Sequence, residues 1–482
     1  MAEVELKLEI APGADAEAAL AEMLGGRPRL VRQTSVYFDT ADHGWCKAGL
    51  SLRLRRAEGR NTQTIKARGS AAGLFVRPEW EMAVAGDRPV DDARVMMPVK
   101  LREGIGEVAP LFTVENERRL WEQGEEDAAI EVSLDRGTVW AGERESPLCE
   151  IELEQKAGDR AALFALARRI DMVAPVRPAM LSKGERGYRL LGPLPGAAKA
   201  EPSPVADGLN AAEAFEAIAL ACLRQFRLNE APILARGDTE ALHQARVALR
   251  RLRSALWIAD DLACDAHYDR LNERLRGLAG ELGRARDLDA LIARAGGSLL
   301  LPQLRAARAE AHEAARARLG APATRRLQLD LVEWLAIGAW RSSPDNAALR
   351  AESVREFATE ALDRLRRKVK QRGRRLAKLD DPDRHKLRKS AKKLRYAAEY
   401  FAPLYGGKRA RRRYKGFLAA LEKLQDELGA LNDLAVTPAL LDRLGLAAEP
   451  GAAELMDEGA KAELLAAAAK AHHRLLACKP FW

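Results

Sequence analysis

The sequence predicts an α+β domain followed by an all-α domain, and three observations support this division. Short segments of alternating polar and apolar residues, typical of half-buried strands, continue to about residue 190. A proline-, glycine- and alanine-rich stretch follows, "LGPLPGAAKAEPSPVADG". Beyond it, leucine, alanine and arginine recur at helical spacing almost to the end of the 482-residue chain. We therefore predict domains at 1–192 and 211–482, joined by a linker at 193–210.

Composition narrows the classes of protein to which this chain can belong. No apolar segment is long enough to span a bilayer and the N-terminus lacks the apolar core of a signal peptide, so we expect a cytoplasmic protein that does not bind membranes. The five cysteines have no metal-ligand spacing and receive no function. The net charge is +9, and the positive excess lies beyond residue 200, which predicts that the second domain binds an anion.

The first strand, "EVELKLEI", places Glu3, Glu5 and Lys7 on one face and apolar residues on the other. Later segments repeat this pattern, and their polar positions are Arg53, Arg55, Lys66, Arg77, Glu79, Glu81, Glu131, Asp135, Glu150, Glu152 and Glu154. Guanidinium and ammonium groups bind phosphate oxygens, whereas carboxylates near a polyanion need a divalent cation such as Mg²⁺ between them. A face with both signs of charge is thus either a solvated surface or a site for a metal-bound triphosphate.

The first domain resembles the CYTH superfamily, the triphosphate tunnel metalloenzymes. The resemblance rests on Glu3–Glu5–Lys7 and on the segments "VYFDT", "LSLRLR", "TIKA", "EIELE" and "LSKGERGY", in the family's order. It implies a closed antiparallel β-barrel, the triphosphate tunnel, whose polar strand faces line the active site. The polar side of the first strand would then be a tunnel wall rather than a solvated surface.

The resemblance also implies roles for individual residues and a divalent cofactor, Mg²⁺ or Mn²⁺. The metal ligands would be Glu3, Glu5, Asp135, Glu150 and Glu152. The substrate-binding residues would be Lys7, Arg53, Arg55, Lys66, Arg118 and Lys183, with Glu3, Glu5 and Lys7 forming the catalytic group. Arg119 competes with Arg118 for its role because "ENERRLW" does not alternate cleanly.

The second domain contains an internal repeat of basic helices. "HQARVALRRLR", which begins at His243, corresponds to "HKLRKSAKKLR", which begins at His385. Each copy is amphipathic, with a basic stripe beside an apolar one. A second pair of matching segments, "ELGRARDLD" and "ELGALNDLA", follows downstream, and we interpret its Asp287 and Asp433 as structural. Two copies of one basic stripe can converge on a single groove.

This pattern is similar to the CHAD domain, which often accompanies CYTH. The resemblance implies two pseudo-symmetric four-helix bundles, at about 211–340 and 350–482, that carry a channel for inorganic polyphosphate. The implied polyphosphate-binding residues are His243, Arg246, Arg250, Arg253, His385, Arg388, Lys392 and Arg395. Nucleic acid is disfavoured as the ligand because few aromatic residues are available to stack on bases and no DNA-binding motif is present.

Together these expectations give a leading hypothesis and two alternatives. The leading one is metal-dependent hydrolysis of inorganic triphosphate to pyrophosphate and phosphate, with polyphosphate binding by the second domain and association with polyphosphate granules. An adenylyl cyclase or a thiamine triphosphatase would use the same tunnel. A non-catalytic polyphosphate-binding scaffold is the third hypothesis.

Overall fold

The computed structural model describes the chain except for residues 1–2, 11–14, 68–69, 91–106, 126–127 and 194–195. The chain forms two compact units. The first comprises residues 1–198 and 321–338, and the second comprises residues 199–320 and 339–482. The segment 321–338 thus belongs to the first unit, although the predicted boundaries assign it to the helical domain.

The first unit contains one antiparallel sheet whose strands follow the alternating segments of the sequence. Its strands are β1 (Glu3–Ile10), β2 (Arg29–Asp39), β3 (Leu50–Ala57), β4 (Arg60–Ala67), β5 (Ser70–Ala72), β6 (Leu74–Arg77), β7 (Glu79–Val84), β8 (Ala109–Glu125), β9 (Ala128–Ala141), β10 (Arg144–Ala157) and β11 (Val176–Pro178). The strand order is β5-β6-β1-β10-β9-β8-β2-β3-β4-β7, and β11 pairs with β1.

The sheet curls so that β1, β8 and β10 face β3, β4 and β7 across one cavity. In the described part of the chain, the end strands β5 and β7 do not pair with each other, so the predicted barrel is a half-barrel that its hydrogen bonds leave open. The predicted fold class is confirmed as a curled antiparallel sheet followed by a mostly helical region. The finer division of that region into two four-helix bundles stays a prediction.

Helices cover the outside and one end of the sheet. They are α1 (Ala16–Leu24), α2 (Gly44–Lys47), α3 (Ala161–Val173) and α4 (Lys183–Leu191). Alternation in β1 and β10 turns Leu6, Leu8, Ile151 and Leu153 away from the cavity, where all four are buried. Helix α4 packs tightly on the sheet because it has Gly187 where a Cβ would lie 2.1 Å from the Phe112 ring.

The rest of the chain is helical, and one of its helices belongs to the first unit. These helices are α5 (Ala211–Arg236), α6 (Thr239–Ile258), α7 (Asp260–Ala263), α8 (Ala266–Arg294), α9 (Leu301–Gly320), α10 (Pro322–Ile337), α11 (Ala347–Ala351), α12 (Val354–Arg372), α13 (Asp381–Phe401), α14 (Lys408–Arg443), α15 (Ala452–Leu455) and α16 (Lys461–Ala477). Helix α10 is the one in the first unit. None of the described helices is long and apolar enough to cross a membrane.

The internal repeat is visible in how its helices begin. Asp238 caps α6 and Asp380 caps α13, and each aspartate accepts a hydrogen bond from a first-turn amide at 2.8 Å. Each cap lies five residues before the histidine of its basic stripe. Asn210 and Ser353, the caps of α5 and α12, form an antiparallel bridge with each other. The two copies therefore begin in the same way and side by side.

Candidate functional site

The first unit encloses a cavity of about 500 Å³ lined by the polar faces of the curled sheet. Its walls carry both signs of charge. The basic residues are Lys7, Arg53, Arg55, Lys66, Arg118, Lys156 and Lys183, and the acidic ones are Glu5, Glu79, Glu81, Glu131, Glu152 and Glu154. All six residues predicted to bind substrate therefore line one cavity. Alternation places five of them on the same face of the curled sheet, and the sixth, Lys183, is the first residue of helix α4.

Three carboxylates form an acidic triad, of which Glu152 lines the cavity while Asp135 and Glu150 are buried behind its surface. Asp135 lies opposite Glu150 in the pairing of β9 with β10, and Glu152 follows on the same face. One carboxylate oxygen from each residue lies within 4.8 Å of the others. Asp135 and Glu150 are completely buried, and Glu150 Oε2 has no hydrogen-bond partner among the described residues. Such a group needs a positive charge to remain ionised.

Three basic side chains supply that charge. Lys183 Nζ lies 2.7 Å from Asp135, 2.5 Å from Glu150 and 2.8 Å from Glu152. Arg118 binds Asp135 through two nitrogens, at 2.8 and 2.6 Å, and also reaches Glu152 at 2.5 Å. Lys7 Nζ lies 2.5 Å from Glu152. Acids and bases thus neutralise one another in this cavity.

Helix α4 fixes the position of Lys183. Ser182 caps the helix, because its side chain accepts the Glu185 amide while the Glu185 carboxylate accepts the Ser182 amide. This reciprocal pair holds the first helical turn, and Lys183 is its first residue. The sequence "LSKGER" therefore specifies the cap and the lysine together.

Burial and charge act against each other on these groups. Burial opposes the charge of Lys7, but Glu152 and Glu5 outweigh it and raise the pKa of the ammonium. Burial also opposes the charge of Lys183, and Asp135 and Glu150 again prevail, so its pKa is raised. The pKa of Glu152 is held well below its usual value, since Lys183 and Lys7 exceed the effect of burial. The surrounding charges therefore favour the ionised forms of Glu152, Lys7 and Lys183 despite their burial.

The opposite wall, from β3, β4 and β7, is also paired, and its two arginines form longer ion pairs than its lysine. Lys66 Nζ lies 2.5 Å from Glu79, and Arg55 lies 3.3 Å from Glu81. Arg53 is 3.9 Å from each of these glutamates. These arginines can turn toward a ligand at lower cost than the cations of the acidic triad, because their ion pairs are longer.

The remaining predicted residues fall in different places. Glu5 lines the cavity and lies 3.4 Å from Lys7, but it is not part of the acidic triad. The side chain of Glu3 lies outside the described residues. Arg118 lines the cavity. Its neighbour Arg119 does not, and binds Glu17 at 2.6 Å instead.

Sequence reasoning missed several polar residues of the cavity. Asn116 donates to Asp135 at 2.8 Å, and Tyr37 hydrogen bonds to Arg53. Asn116 stands two residues before Arg118, so strand alternation could have identified it. Tyr37 lies within "VYFDT", where its apolar neighbours concealed its role.

The acidic triad fits a divalent cation by its chemistry. Carboxylate oxygens are the ligands that Mg²⁺ and Mn²⁺ prefer. A cation here would use the otherwise unpartnered Glu150 Oε2 and would compete with Lys183 for the same three carboxylates.

The second unit contains a basic cavity of about 320 Å³. Both repeats contribute to it, as the sequence predicts. Its charged and imidazole side chains are His243, Arg246, Arg250, Arg286, Asp287, Arg294, His385, Arg388 and Asp433. Arg246 is partly neutralised by Asp287 at 3.1 Å. The excess of arginine makes this cavity suited to a polyanion.

The two histidines occupy corresponding but unequal positions. His243 Nδ1 accepts a hydrogen bond from Arg286 at 3.0 Å, whereas His385 Nδ1 lies 3.0 Å from the Asn432 side-chain oxygen. Burial and then Arg286 lower the pKa of His243. Burial also lowers the pKa of His385. The first copy therefore places an arginine beside its histidine, where the second copy has an asparagine.

The basic stripes extend beyond the cavity. Arg253 and Arg395 do not line it, and Arg395 instead binds Glu399 at 2.8 Å and Glu422 at 3.0 Å. Ten residues along a helix correspond to about 15 Å, which carries these arginines past the end of the cavity.

Lys392 lies beside the cavity, where burial and then Arg250 and Arg388 lower its pKa to about 6. Arg286 and Arg294 were missed because they belong to α8, outside the basic stripes.

Comparisons with known proteins agree with this geometry. The model of the CYTH domain matches residues 1–188, and the model of the CHAD domain matches residues 217–442. An inorganic triphosphatase of Haemophilus influenzae is 30% identical over 193 residues, which are 39% of this chain and 54% of that protein. The chain thus spans about half the length of this curated relative.

Two solved structures match parts of this chain. The crystal structure of a CHAD domain from the plant Ricinus communis is 31% identical, with a TM-score of 0.50, and covers 57% of this chain and 96% of that one. A putative adenylyl cyclase from Hippeastrum, described as having a dominant triphosphatase activity, is 19% identical with a TM-score of 0.33. It covers 40% of this chain and 98% of that one.

Proposed function

Because the chain joins a CYTH domain to a CHAD domain, we propose that it is a metal-dependent inorganic triphosphatase whose helical domain binds polyphosphate. One observation supports the catalytic part: a single cavity is lined by the six predicted phosphate-binding cations and by Glu152, and Lys183 joins this cavity to all three carboxylates of the acidic triad. A triphosphate and a hard divalent cation need these two sets of ligands at the same place.

In this proposal the ion pairs of the cavity exchange partners when the substrate enters. Arg53, Arg55 and Lys66 turn from Glu79 and Glu81 to the phosphate oxygens. Lys7, Arg118 and Lys183 do the same from the acidic triad, which frees Asp135, Glu150 and Glu152 to hold Mg²⁺ or Mn²⁺. The bound cation supplies neutralisation of phosphate charge and polarisation of the phosphorus–oxygen bonds.

The chain's own residues then orient the reaction. Arg118 and Lys183 hold the triphosphate in line for attack and stabilise the charge that develops on the phosphoryl oxygens. Glu5 lines the cavity outside the triad, and in this proposal its carboxylate accepts a hydrogen bond from the attacking water. The alternative is that Glu5 is a metal ligand together with Glu3.

The decisive experiment compares three substrates in parallel. Phosphate release from inorganic triphosphate, ATP and thiamine triphosphate would be measured with Mg²⁺, with Mn²⁺ and with EDTA. We expect rapid, chelator-sensitive release from inorganic triphosphate. Faster turnover of thiamine triphosphate would indicate a thiamine triphosphatase, and cyclic AMP formed from ATP would indicate a cyclase. Absence of turnover on all three would leave a binding scaffold.

Polyphosphate binding by the second unit is supported by the convergence of both basic stripes on one cavity. Binding of an inorganic polyphosphate would be measured by calorimetry at several salt concentrations, with a single-stranded RNA of equal charge as competitor. Tighter binding of polyphosphate than of RNA is the expected result. We propose a cytoplasmic location and association with polyphosphate granules on the same basis.

A further inference from the structure

Helix α10 is part of the first unit, although it comes from the middle of the helical half of the sequence. The chain leaves the second unit after Gly320, forms α10, and re-enters the second unit at Ala339. The proposed catalytic domain is therefore completed by a segment that follows its own last strand by more than a hundred residues. What this helix contacts indicates why it is there.

A buried ion pair attaches α10 to the helix on the outer face of the sheet. Arg325 Nε donates to Asp171 Oδ1 at 2.6 Å, and both side chains are more than nine-tenths buried. The same Asp171 oxygen accepts the amide of Val176 at 3.1 Å. Arg168 adds a second attachment through Asp330 at 2.8 Å. Asp171 thus joins α10 to the first residue of β11.

Strand β11 in turn holds the strand that carries Glu5 and Lys7. It pairs with the second half of β1, and the Ala179 amide just after it donates to the Lys7 carbonyl at 2.8 Å. The Lys7 amide donates to the Gly73 carbonyl at 2.7 Å. The backbone of Lys7 is therefore fixed on both sides, once by the end of β11 and once by Gly73.

The same helix also covers the turn at Gly73. This residue has φ +86°, and a Cβ on it would lie 2.8 Å from Pro178 Cβ and 3.7 Å from Val332 Cγ1. Val332 belongs to α10 and Pro178 belongs to β11, so residues of both elements pack next to the turn at Gly73. Both backbone contacts of Lys7 thus lie beneath α10.

We propose that α10 is a positioning element for the triphosphate site, with Arg325 as its principal positioning residue. Through Asp171 and Val176 it sets the place of β11, and through β11 it sets the backbone of Lys7 and the register of β1. Because displacements of about 1 Å can reduce catalysis by about 100-fold, a small shift of β1 is enough to be measured. The inference rests on the proposed triphosphatase function.

The test compares Arg325→Leu with Arg326→Leu in the full-length chain. Arg326 is the exposed neighbour of Arg325 on the same helix, which makes its substitution a matched control. We expect Arg325→Leu to lower kcat by about tenfold or more and Arg326→Leu to leave it unchanged. Arg325→Lys keeps the buried positive charge and should recover part of the loss.

Two further measurements separate positioning from general destabilisation. Circular dichroism must find the variants folded at the assay temperature, and calorimetry in EDTA measures triphosphate binding without turnover. A kcat within twofold of wild type in folded Arg325→Leu overturns the inference. If that variant does not fold, Asp171→Asn replaces it, because asparagine can still accept the Val176 amide, and the same criterion applies.

A wild-type protein without triphosphatase activity contradicts the proposed function instead, and triphosphate binding in EDTA then decides whether α10 still positions the site.

Discussion

At the scale of single residues, Glu152 forms ion pairs with more cations than either of the other two carboxylates of the acidic triad. It contacts Lys7, Arg118 and Lys183, and its pKa is held well below the usual value by Lys183 and Lys7 despite burial. It is therefore both a proposed metal ligand and the group that keeps three cations in place.

We expect Glu152→Gln to reduce triphosphate hydrolysis by about 100-fold or more, comparable to the loss when one preorganised electrostatic contact is removed from an active site. The measurement is kcat with saturating Mn²⁺, together with Mn²⁺ affinity by calorimetry, which should weaken as well. Glu145→Gln is the control, because Glu145 is exposed on the same strand. Wild-type Mn²⁺ affinity in Glu152→Gln would contradict the metal assignment.

Lys392 gives the second unit a pH response that can be measured. Its pKa near 6 makes it mostly neutral at pH 7.5, and a bound polyanion would favour the protonated form and raise that pKa. Polyphosphate affinity should therefore fall as the pH rises from about 6 to 8, and binding should take up protons. The two histidines, whose pKa values are also lowered, would add to this effect.

Calorimetry in buffers of different ionisation enthalpy measures that proton uptake. Lys392→Met should reduce it, while Lys386→Met should not, because Lys386 is exposed on the same helix and pairs with Asp383 at 2.8 Å. Equal uptake in both variants would show that Lys392 does not face the polyanion.

At the scale of secondary-structure elements, strand β8 separates two neighbouring arginines by alternation. Arg118 enters the cavity and binds two carboxylates, while Arg119 points to the other face and binds Glu17. Lysine cannot reproduce the two-nitrogen contact of Arg118. Arg118→Lys should raise the KM for triphosphate by about tenfold or more, whereas Arg119→Lys should change it little. Steady-state kinetics at fixed metal concentration decides between these outcomes, and an equal effect of both substitutions would contradict the assignment.

The elements also explain what the sequence could and could not predict. Period-two alternation identified Arg53, Arg55, Lys66 and Glu152 because every second residue of a strand shares a face. Alternation could not predict the order of the strands in the sheet, or that the end strands β5 and β7 do not pair with each other in the described part of the chain. Both features depend on pairing between segments that are distant in sequence. In the helical half, the repeat identified the basic stripes, but where the cavity ends depends on how α8 and α14 cross them. Nothing in the helical pattern of α10 indicates that it packs on the sheet.

The salt dependence of polyphosphate binding tests the cavity as an assembly of helices. Replacing Arg246, Arg250 and Arg388 with alanine should weaken binding and flatten the slope of log affinity against log salt, because fewer counterions are released. Replacing Arg253 and Arg395 is the matched control, since both belong to the same stripes but lie outside the cavity. If the control weakens binding as much, polyphosphate follows the whole stripe rather than the cavity.

At the scale of the whole molecule, the two proposed sites belong to different compact units and use different chemistry. The first needs carboxylates that hold a metal, and the second consists mainly of arginine and histidine. Glu5→Ala should therefore abolish metal-dependent triphosphate hydrolysis and leave the affinity for polyphosphate unchanged. The arginine substitutions of the second cavity should do the reverse. Hydrolysis and calorimetric polyphosphate binding would be measured on the same preparations. A fully active Glu5→Ala variant would refute the catalytic role of Glu5, and loss of both functions in either variant would indicate that the sites are energetically coupled.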